Sequence, residues 1–382
     1  MRIKRLDASL VGGLRWDGDA FQPCDLHIVG GRWSDRPARG APALDLCGAY
    51  VLPTLVNAHD HLELNHYPRT RPCERYTNAA DWARDVNALL DQPPYRQLRA
   101  HSYADKAHAG LVKNVLSGVH WVIQHGRPHP YLFHPTHPIR VLRRYEWAHS
   151  VYLSSPQAIQ QAHARADRTR RFFIHAAEGT DARAEREIDL LNELGCLDER
   201  TVLIHGVGIP RRTVIEQLRP RGVVLVTCAT SNVYLLGQLP DLDLWRGALA
   251  VGTDSRLTGA GDLWDEVRLL LSQFGARVWA DLHRAPQVLG LPTPLPFQHG
   301  TLATCTVIGP SLQRSDIRSV VLEGHILWGR PNLLSALNIP LETATLDNAP
   351  IALSRPLARW IRRGTLVESG FAFNQPAVRR WW

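Results

Sequence analysis

The sequence predicts an α/β protein: a (β/α)8 barrel, residues 51–299, with a small β-sandwich domain formed from both termini, residues 1–50 and 300–382. Two observations predict this fold. In the middle of the chain, short apolar runs alternate with amphipathic helical patterns, as in successive βα units. Near both ends, short alternating or apolar runs are broken by Gly, Asp and Pro, which is typical of strands joined by turns.

The predicted terminal domain draws its strands from two distant segments. The N-terminal strands are LVGGLRWDG, CDLHIVGGRW and ALDLCGAYVLP, and IRSVVLEGHILWGRP (317–331) supplies two more. In the later segment, Glu323-Gly324 separates two apolar runs and predicts a tight turn. Strands at both ends of a long α/β middle therefore predict one small domain assembled from both termini.

The predicted barrel has seven recognisable strands, at 51–58, 118–125, 139–147, 170–176, 201–207, 222–228 and 248–254. Between Trp147 and Arg170 there is room for one more short strand and a helix, so we expect the fourth strand to be compressed or irregular. Apolar residues at three- and four-residue spacing predict helices at 79–90, 155–170, 184–195 and 263–275. Leu194-Gly195 predicts a C-cap glycine.

Composition excludes several classes of protein. The net charge is +8, but the basic residues are dispersed rather than gathered in a stripe with aromatics, so we expect no nucleic-acid partner. With no run of 18 apolar residues and no apolar signal core at the N-terminus, we expect a cytoplasmic protein without a membrane partner. The six cysteines lie far apart and form no CxxC pair, which favours reduced thiols. Homo-oligomerisation is left open.

Five polar residues follow the predicted strands in a regular way. VLPTLVNAHDH ends in His59 and His61, RRFFIHAAE carries His175, TVLIHG carries His205 and GALAVGTDS carries Asp254. A (β/α)8 barrel builds its site from the C-terminal ends of its strands. His59 and His61 are two residues apart, so both can face one metal ion. Neutral imidazoles with one carboxylate suit zinc or ferrous iron.

Two carboxylates could carry the chemistry of such a site. Glu178 lies three residues beyond His175 and could carry a proton from water to a leaving group, although a carboxylate favouring a helix N-terminus is an equal alternative. Asp254 could bind metal with one oxygen and accept a proton from water with the other, since a metal lowers the pKa of water from about 16 toward 7. His205 could be a ligand, a hydrogen-bond donor to the substrate, or both.

The ordered motifs HDH, HAAE, LIHG and VGTDS resemble those of the amidohydrolase superfamily, in its branch of cytosine and guanine deaminases and triazine chlorohydrolases. CATSNVYLLG (228–237) is similar to that branch's Cys-Pro-x-Ser-Asn segment, and the resemblance covers about residues 50–270. It implies that one divalent metal is held by the following residues: His59, His61, His175 and Asp254. It also implies that Glu178 shuttles protons, that His205 orients or polarises the substrate and that Asp254 activates water.

The implied reaction is hydrolytic attack on an sp² carbon that bears nitrogen. The leading function is deamination of a small heterocyclic or amidine-like amine, a small-molecule substrate. The alternatives are a cyclic amide or imide hydrolase and a non-catalytic metal-binding barrel homologue. Glu63 and Asn65, just after the first histidine pair, and His125, at the end of the second strand, are candidates for substrate contact.

Lysine scarcity bears on the number of metal ions. Superfamily members with two metals commonly bridge them with a carbamylated lysine at the end of the fourth strand, and no lysine follows Lys113 in this chain. One divalent metal, Zn²⁺ or alternatively Fe²⁺, is therefore expected. The chain departs from the family pattern at Thr54 and Ala229, and its segment between the second strand and His175 is short. Because that segment normally supplies substrate contacts, the resemblance does not identify the substrate of this protein.

Overall fold

The computed structural model describes residues 5–374. Its strands are β1 (Ala8–Trp16), β2 (Phe21–Val29), β3 (Arg32–Ser34), β4 (Ala43–Asp45), β5 (Tyr50–Leu52), β6 (Val56–Asp60), β7 (Trp121–Gln124), β8 (Arg140–Val141), β9 (Glu146–Ser150), β10 (Phe172–Ala176), β11 (Thr201–His205), β12 (Val224–Thr227), β13 (Leu249–Val251), β14 (Cys305–Ile308), β15 (Ile317–Leu322), β16 (His325–Gly329), β17 (Leu341–Leu346), β18 (Ala349–Ser354) and β19 (Phe371–Phe373). Its helices are α1 (Ala79–Leu89), α2 (Tyr95–Arg99), α3 (Tyr103–Leu116), α4 (Pro156–Arg165), α5 (Ala182–Glu193), α6 (Arg211–Thr213), α7 (Ala229–Leu236), α8 (Leu263–Phe274), α9 (Val278–Val288), α10 (Pro331–Leu334) and α11 (Arg355–Ile361).

Eight parallel strands, β6 to β13, form the middle of the molecule in two sheets. The first sheet has the order β6-β7-β8 and the second the order β13-β12-β11-β10-β9. A single parallel bridge between Asp60 and Asp254 joins β6 to the segment after β13. The predicted α/β class and parallel strands are confirmed. Across residues 5–374, however, the hydrogen-bonded ladder does not close into a complete barrel.

The predicted strand 139–147 is wrong in its extent. The structure divides this segment into β8 and the start of β9, with a break between them. Arg143 and Arg144 are adjacent and both exposed. Consecutive strand residues point to opposite faces, so a strand covered on both sides cannot expose two neighbours. The chain therefore leaves the sheet at these arginines, and β9 supplies the short fourth strand.

The predicted helices are confirmed, with ends one to a few residues from those expected. α1, α4, α5 and α8 occupy the four predicted segments. The side chain of Asp181 caps α5 by accepting a hydrogen bond from the Ala184 amide, and Gly195 follows the helix at φ +68°. Within residues 5–374, no helix is long and apolar enough to cross a bilayer.

Strands from both ends of the chain join one sheet of eleven strands. Its order is β19-β17-β18-β16-β15-β14-β5-β1-β2-β3, with β4 paired to β1. Glu323 and Gly324, both at positive φ, form the predicted turn between β15 and β16. These hydrogen bonds form one continuous sheet and do not by themselves define two packed layers. The sandwich and the domain boundaries at residues 50 and 300 therefore remain predictions. Residues 1–4 and 375–382 of the predicted domain lie outside the described residues.

Candidate metal centre

The five residues predicted from strand ends meet at one edge of the parallel sheets. His59 lies in β6 and His61 directly follows it, while His175 and His205 lie near the ends of β10 and β11. Asp254 follows β13 by three residues. Every residue of β6, β10, β11 and β13 is buried, because these strands are covered on both faces. The apolar runs therefore fix the strands, and parallel alignment brings their polar ends together.

Short distances connect the predicted metal ligands. Asp254 Oδ1 lies 3.7 Å from His59 Nε2 and 3.6 Å from His61 Nε2. His175 Nε2 lies 3.2 Å from His59 Nε2. Ligand atoms of His59, His61 and Asp254 lie within 4.8 Å of one another. Donor atoms from three separate strand ends thus surround one small volume.

The hydrogen bonds behind the histidines fix which ring nitrogen is available. His175 Nδ1 lies against the backbone carbonyl of His149, which can only accept, so Nδ1 carries the proton and Nε2 keeps its lone pair. His205 Nδ1 donates to Asn232 Oδ1 at 2.8 Å in the same way. Such outer partners orient metal-binding imidazoles in proteins. Both Nε2 atoms are consequently acceptors that face the site.

Burial keeps these imidazoles neutral. It lowers the pKa of His59 to about 3, lowers the pKa of His175 well below its usual value, and also lowers the pKa of His205. A neutral imidazole is the form that binds a metal ion. Imidazoles together with one carboxylate are a donor set that fits a divalent transition metal. The residues present therefore support a divalent metal at this place.

Asp254 has partners on both carboxylate oxygens. Burial alone would raise the pKa of Asp254, but its interactions with His59, His61 and His205 hold this pKa well below its usual value. Oδ2 accepts hydrogen bonds from Ser231 Oγ at 2.8 Å and Thr258 Oγ1 at 2.6 Å, and Oδ1 faces the histidines. That one oxygen binds metal while the other accepts a proton remains a prediction.

Glu178 lies beside His205, with 3.5 Å between Glu178 Oε1 and His205 Nε2. Burial raises the pKa of Glu178 well above its usual value, and the charges of Asp254 and Glu187 raise it further. Glu187 on α5 also holds the turn that carries Glu178, since its Oε2 accepts a hydrogen bond of 2.8 Å from the Ala177 amide. Glu178 is thus a carboxyl that can hold a proton near neutral pH.

The predicted substrate contacts Glu63 and Asn65 lie close to the histidines but already have protein partners. Glu63 Oε2 accepts a hydrogen bond of 2.7 Å from Gln124 Nε2. Asn65 is buried, and its amide group contacts Asp60 Oδ1 and Lys113 Nζ, both at 2.7 Å. Asn65 is therefore part of a buried hydrogen-bonded cluster, and its contact with a substrate remains a prediction.

His125 lies within the histidine cluster itself. Its ring centroid is 4.1 Å from that of His175, and one of its nitrogens lies within 4.8 Å of ligand atoms of His59 and His175. His125 Nε2 also contacts the His149 carbonyl, at 3.0 Å. The residue is 2% exposed. His125 therefore supports the ligand shell, and a direct contact with substrate remains a prediction.

Three residues that support this site were not predicted from the sequence to do so: Asp60, Lys113 and His149. Asp60, between the two first histidines, forms a fully buried ion pair with Lys113 of α3 at 2.9 Å. The His149 carbonyl holds both His175 and His125. One signal for the ion pair was available: the α3 segment AHAGLVKNVL is apolar almost all round, so its polar members had to be buried and paired.

A cavity of about 870 Å³ is lined mainly by residues 65–69, 313–315 and 366–369 and by several residues within 256–268, and none of the clustered histidines lines it. Three of its four arginines are paired with acids: Arg256 and Arg314 both contact Glu368, and Arg268 contacts Asp265. The fourth, Arg69, donates to the backbone carbonyls of Thr258 and Thr230. The lining has four arginines and four acidic residues, so its charges are balanced.

The sequence comparisons give a short match. No family model matches the chain. A deaminase of 5-methylthioadenosine and S-adenosylhomocysteine from Natronomonas pharaonis is 32% identical over 132 residues. The match covers 31% of this chain and 30% of the relative, so the chain spans less than a third of that curated relative in the match.

Solved structures match over most of the chain. A zinc-bound adenosine deaminase from Xanthomonas campestris has a TM-score of 0.64 at 14% identity, covering 85% of this chain and 93% of its own. Atrazine chlorohydrolase from Arthrobacter aurescens, complexed with zinc, has a TM-score of 0.64 at 16% identity, covering 84% and 95%. An amidohydrolase from a Sargasso Sea environmental sample has a TM-score of 0.56 at 18% identity, covering 79% and 84%.

These neighbours confirm the resemblance that the ordered motifs indicate. The chain shares its fold with these solved deaminase, triazine hydrolase and amidohydrolase structures. The motif residues occupy the strand ends at which that fold builds its site.

Proposed function

We propose that this protein is a mononuclear metal-dependent hydrolase that acts on a non-peptide C–N bond, with deamination of a small heterocyclic or amidine-like amine as its reaction. The observation that carries the proposal is the convergence of His59, His61, His175 and Asp254 on one small volume, with Glu178 beside it. The similarity to deaminases and to a chlorohydrolase of the same fold supports the same reaction class.

The proposed ligands are three imidazoles and one carboxylate: His59, His61, His175 and Asp254. When bound, a divalent metal supplies Lewis-acid chemistry that makes water a competent nucleophile near neutral pH. The donor set suits Zn²⁺, with Fe²⁺ as the alternative. Lys113 already binds Asp60, Asn65 and Thr253, which supports a site without a lysine bridge.

Asp254 and Glu178 divide the proton transfers between them. Ionised Asp254 takes a proton from the attacking water and passes it to the nitrogen that remains bonded to the attacked carbon. Protonated Glu178 gives its proton to the departing nitrogen and recovers one from the hydroxyl group as the carbonyl forms, so both carboxyl groups return to their starting states. The low pKa of Asp254 and the high pKa of Glu178 match these opposite roles.

His205 is placed to orient the substrate as a neutral imidazole. Its Nδ1–H is committed to Asn232, and its Nε2 lies 3.5 Å from Glu178 Oε1. This Nε2 can accept a hydrogen bond from the protonated Glu178 carboxyl or from a donor group of the substrate. The proposed role of His205 is therefore to orient the Glu178 carboxyl and the substrate.

The first test is the metal content of protein purified without chelator, measured by elemental analysis and followed by a screen of heterocyclic amines for ammonia release. About one zinc or iron per chain with ammonia release is expected. Ring opening without ammonia would instead identify a cyclic amide or imide hydrolase. Absence of metal before and after reconstitution would contradict the proposal and favour the non-catalytic barrel.

The second test asks whether Glu178 transfers protons without binding the metal. Glu178→Gln should lower the rate by about 10²- to 10⁴-fold, because one proton-transfer group is lost, while metal content is retained. Glu185→Gln makes the same chemical change at an exposed position of α5 and should leave the rate unchanged. Persistent activity of Glu178→Gln would show that the shuttle is another residue.

A further inference from the structure

A buried cation lies next to the strand that carries the first two histidines. Lys113 is 0% exposed, and its ammonium group has three partners: Asp60 Oδ2 at 2.9 Å, Asn65 Oδ1 at 2.7 Å and Thr253 Oγ1 at 3.1 Å. An ammonium group has three protons, so these contacts use all of them. Isolated buried charges are rare in proteins because desolvation is costly, and this one is fully paired.

The carboxylate of Asp60 is equally saturated. Besides Lys113, it accepts hydrogen bonds from three amide side chains, those of Asn57 at 3.0 Å, Asn65 at 2.7 Å and Asn114 at 2.7 Å. Asp60 itself is 0% exposed. We call the following set the Lys113 network: Asn57, Asp60, Asn65, Lys113, Asn114 and Thr253. The mechanism proposed above uses none of its side chains.

The packing of α3 brings this network into place. A Cβ atom on Gly110 would collide with the backbone of Leu62, so only glycine allows α3 to lie this close to the turn after His61. Lys113 and Asn114 follow Gly110 by three and four residues and therefore lie on the same face of the helix. That face delivers both side chains to Asp60.

The network joins two of the three strand ends that carry the proposed metal ligands. Asp60 lies between His59 and His61, and Thr253 directly precedes Asp254. The Thr253 hydroxyl accepts from Asn57 Nδ2 at 2.8 Å and from Lys113, and it donates to the Asp254 carbonyl at 3.1 Å. One parallel bridge links β6 to this segment. The Lys113 network thus reinforces the place where the two parallel sheets meet.

We propose that Lys113, through Asp60 and Thr253, is a positioning residue for the metal centre: it fixes the His59–His61 pair relative to Asp254 across the seam between the two sheets. This inference rests on the proposed function, because it concerns the same ligands. Lys113 acts through its neighbours and touches neither substrate nor metal. Asp254 has φ +53°, a strained backbone conformation for aspartate, so its placement needs such support.

The test compares variants by Zn²⁺ affinity, measured by chelator competition, and by the absorption spectrum of the Co²⁺-loaded protein. Thr253→Val keeps the ion pair but cuts the link to Asp254, and it should raise the Zn²⁺ dissociation constant by about 10-fold and change the Co²⁺ spectrum. Thr201→Val is the matched control, because Thr201 is also buried and donates to a carbonyl far from the site. It should change neither measurement.

A double variant separates positioning from charge neutralisation. Lys113→Met alone leaves Asp60 buried and unpaired, so it should unfold at a lower temperature and bind Zn²⁺ weakly. Adding Asp60→Asn removes the lone charge and should restore the unfolding temperature of the apoprotein, while the Zn²⁺ dissociation constant stays raised by about 10-fold. Lys106→Met, at the other lysine of α3, should leave both unchanged.

The outcomes distinguish this inference from the function it rests on. If Thr253→Val or the folded double variant binds Zn²⁺ as tightly as the parent and gives the parent Co²⁺ spectrum, Lys113 only neutralises Asp60 and the positioning role is wrong, while the proposed hydrolase stands. If the parent itself retains no Zn²⁺, the proposed function fails, and the positioning role fails with it.

Discussion

At the scale of single residues, Asp254 shows how one carboxylate can be prepared for two tasks. Its Oδ2 is held by Ser231 and Thr258, and its Oδ1 is directed at His59 and His61. Two hydroxyl donors favour the ionised form and fix the plane of the carboxylate. The orientation of Oδ1 is therefore set before any metal ion or substrate arrives.

Asp254→Asn is expected to lower both metal retention and rate. An amide has one oxygen and carries no charge, so it loses the electrostatic attraction to a divalent cation and the capacity to accept a proton. We expect at least about a 10²-fold loss of rate, with sub-stoichiometric metal. The measurements are elemental analysis and ammonia release on the same preparation. A fully metallated and fully active variant would contradict both roles of Asp254.

Glu187 gives a residue-scale prediction for stability against pH. Burial raises the pKa of Glu187 to about 7 from its ordinary value of 4.5. Between these two values the folded state keeps a proton that the unfolded state releases, so the free energy of unfolding falls as pH rises through this window. Above about pH 7 the loss is complete, and we expect it to be on the order of 2 kcal/mol.

Glu187→Gln should remove this loss while keeping an acceptor for the Ala177 amide. Relative to the parent, the variant should therefore be more stable at pH 8 than at pH 5, by on the order of 2 kcal/mol in chemical denaturation. Glu185→Gln, an exposed change on the same helix, should show the same difference from the parent at both pH values. An equal effect of Glu187→Gln at pH 5 and pH 8 would show that Glu187 does not titrate in this range.

At the scale of elements, the close approach of β13 to β6 depends on one glycine. A Cβ on Gly252 would lie 2.6 Å from His59 Cβ and 2.8 Å from the His59 backbone nitrogen. Real contacts of this kind are not observed, so any larger residue must separate the two strand ends. In the segment Gly252-Thr253-Asp254, the glycine therefore allows close packing of the two strand ends, and the aspartate is the proposed metal ligand.

Gly252→Ala should consequently disturb the seam and the metal centre together. We expect a loss of about 1–3 kcal/mol in the free energy of unfolding, as for other overpacked interiors, and weaker metal binding. The measurements are chemical denaturation of the apoprotein and chelator competition with Zn²⁺. If both match the parent, β13 can move away from β6 without consequence, and the seam is not the constraint that the geometry indicates.

At the scale of the whole molecule, the sequence predicts features with a local pattern that recurs along the chain. Buried strands with His59, His175 or His205 at or next to their last residue were predictable, because an apolar run followed by a polar residue is a local signal. The ion pair of Asp60 with Lys113 was not, because its two residues are 53 positions apart in the sequence and meet only when α3 packs on the turn after β6.

The same distinction explains one wrong strand boundary and one feature of the fold that the sequence does not predict. The break between β8 and β9 is decided by two exposed arginines within an otherwise strand-like run, a weaker signal than the apolar residues around them. The continuity of the eleven-stranded sheet depends on the pairing of β5 with β14, which lie more than 250 residues apart. Pairings at such separation leave no periodic pattern in the sequence.

Metal binding should stabilise the whole molecule, because the proposed ligands come from both parallel sheets. His59 and His61 belong to the sheet of β6, while His175 and Asp254 belong to that of β9–β13, and one bridge joins the two. A metal ion held by all four residues would act as a second connection. A ligand that binds only the folded state adds about 4 kcal/mol at 1,000 times its dissociation constant.

We therefore expect the unfolding temperature to fall by several degrees, on the order of 8 °C, after removal of metal with a chelator, and to recover with Zn²⁺. Asp254→Asn should show a smaller change, because one ligand is weakened, and Thr201→Val should show the full change. The measurement is thermal unfolding with and without chelator at a fixed protein concentration. The same unfolding temperature in both conditions for a metallated parent would mean that the metal does not connect the two sheets.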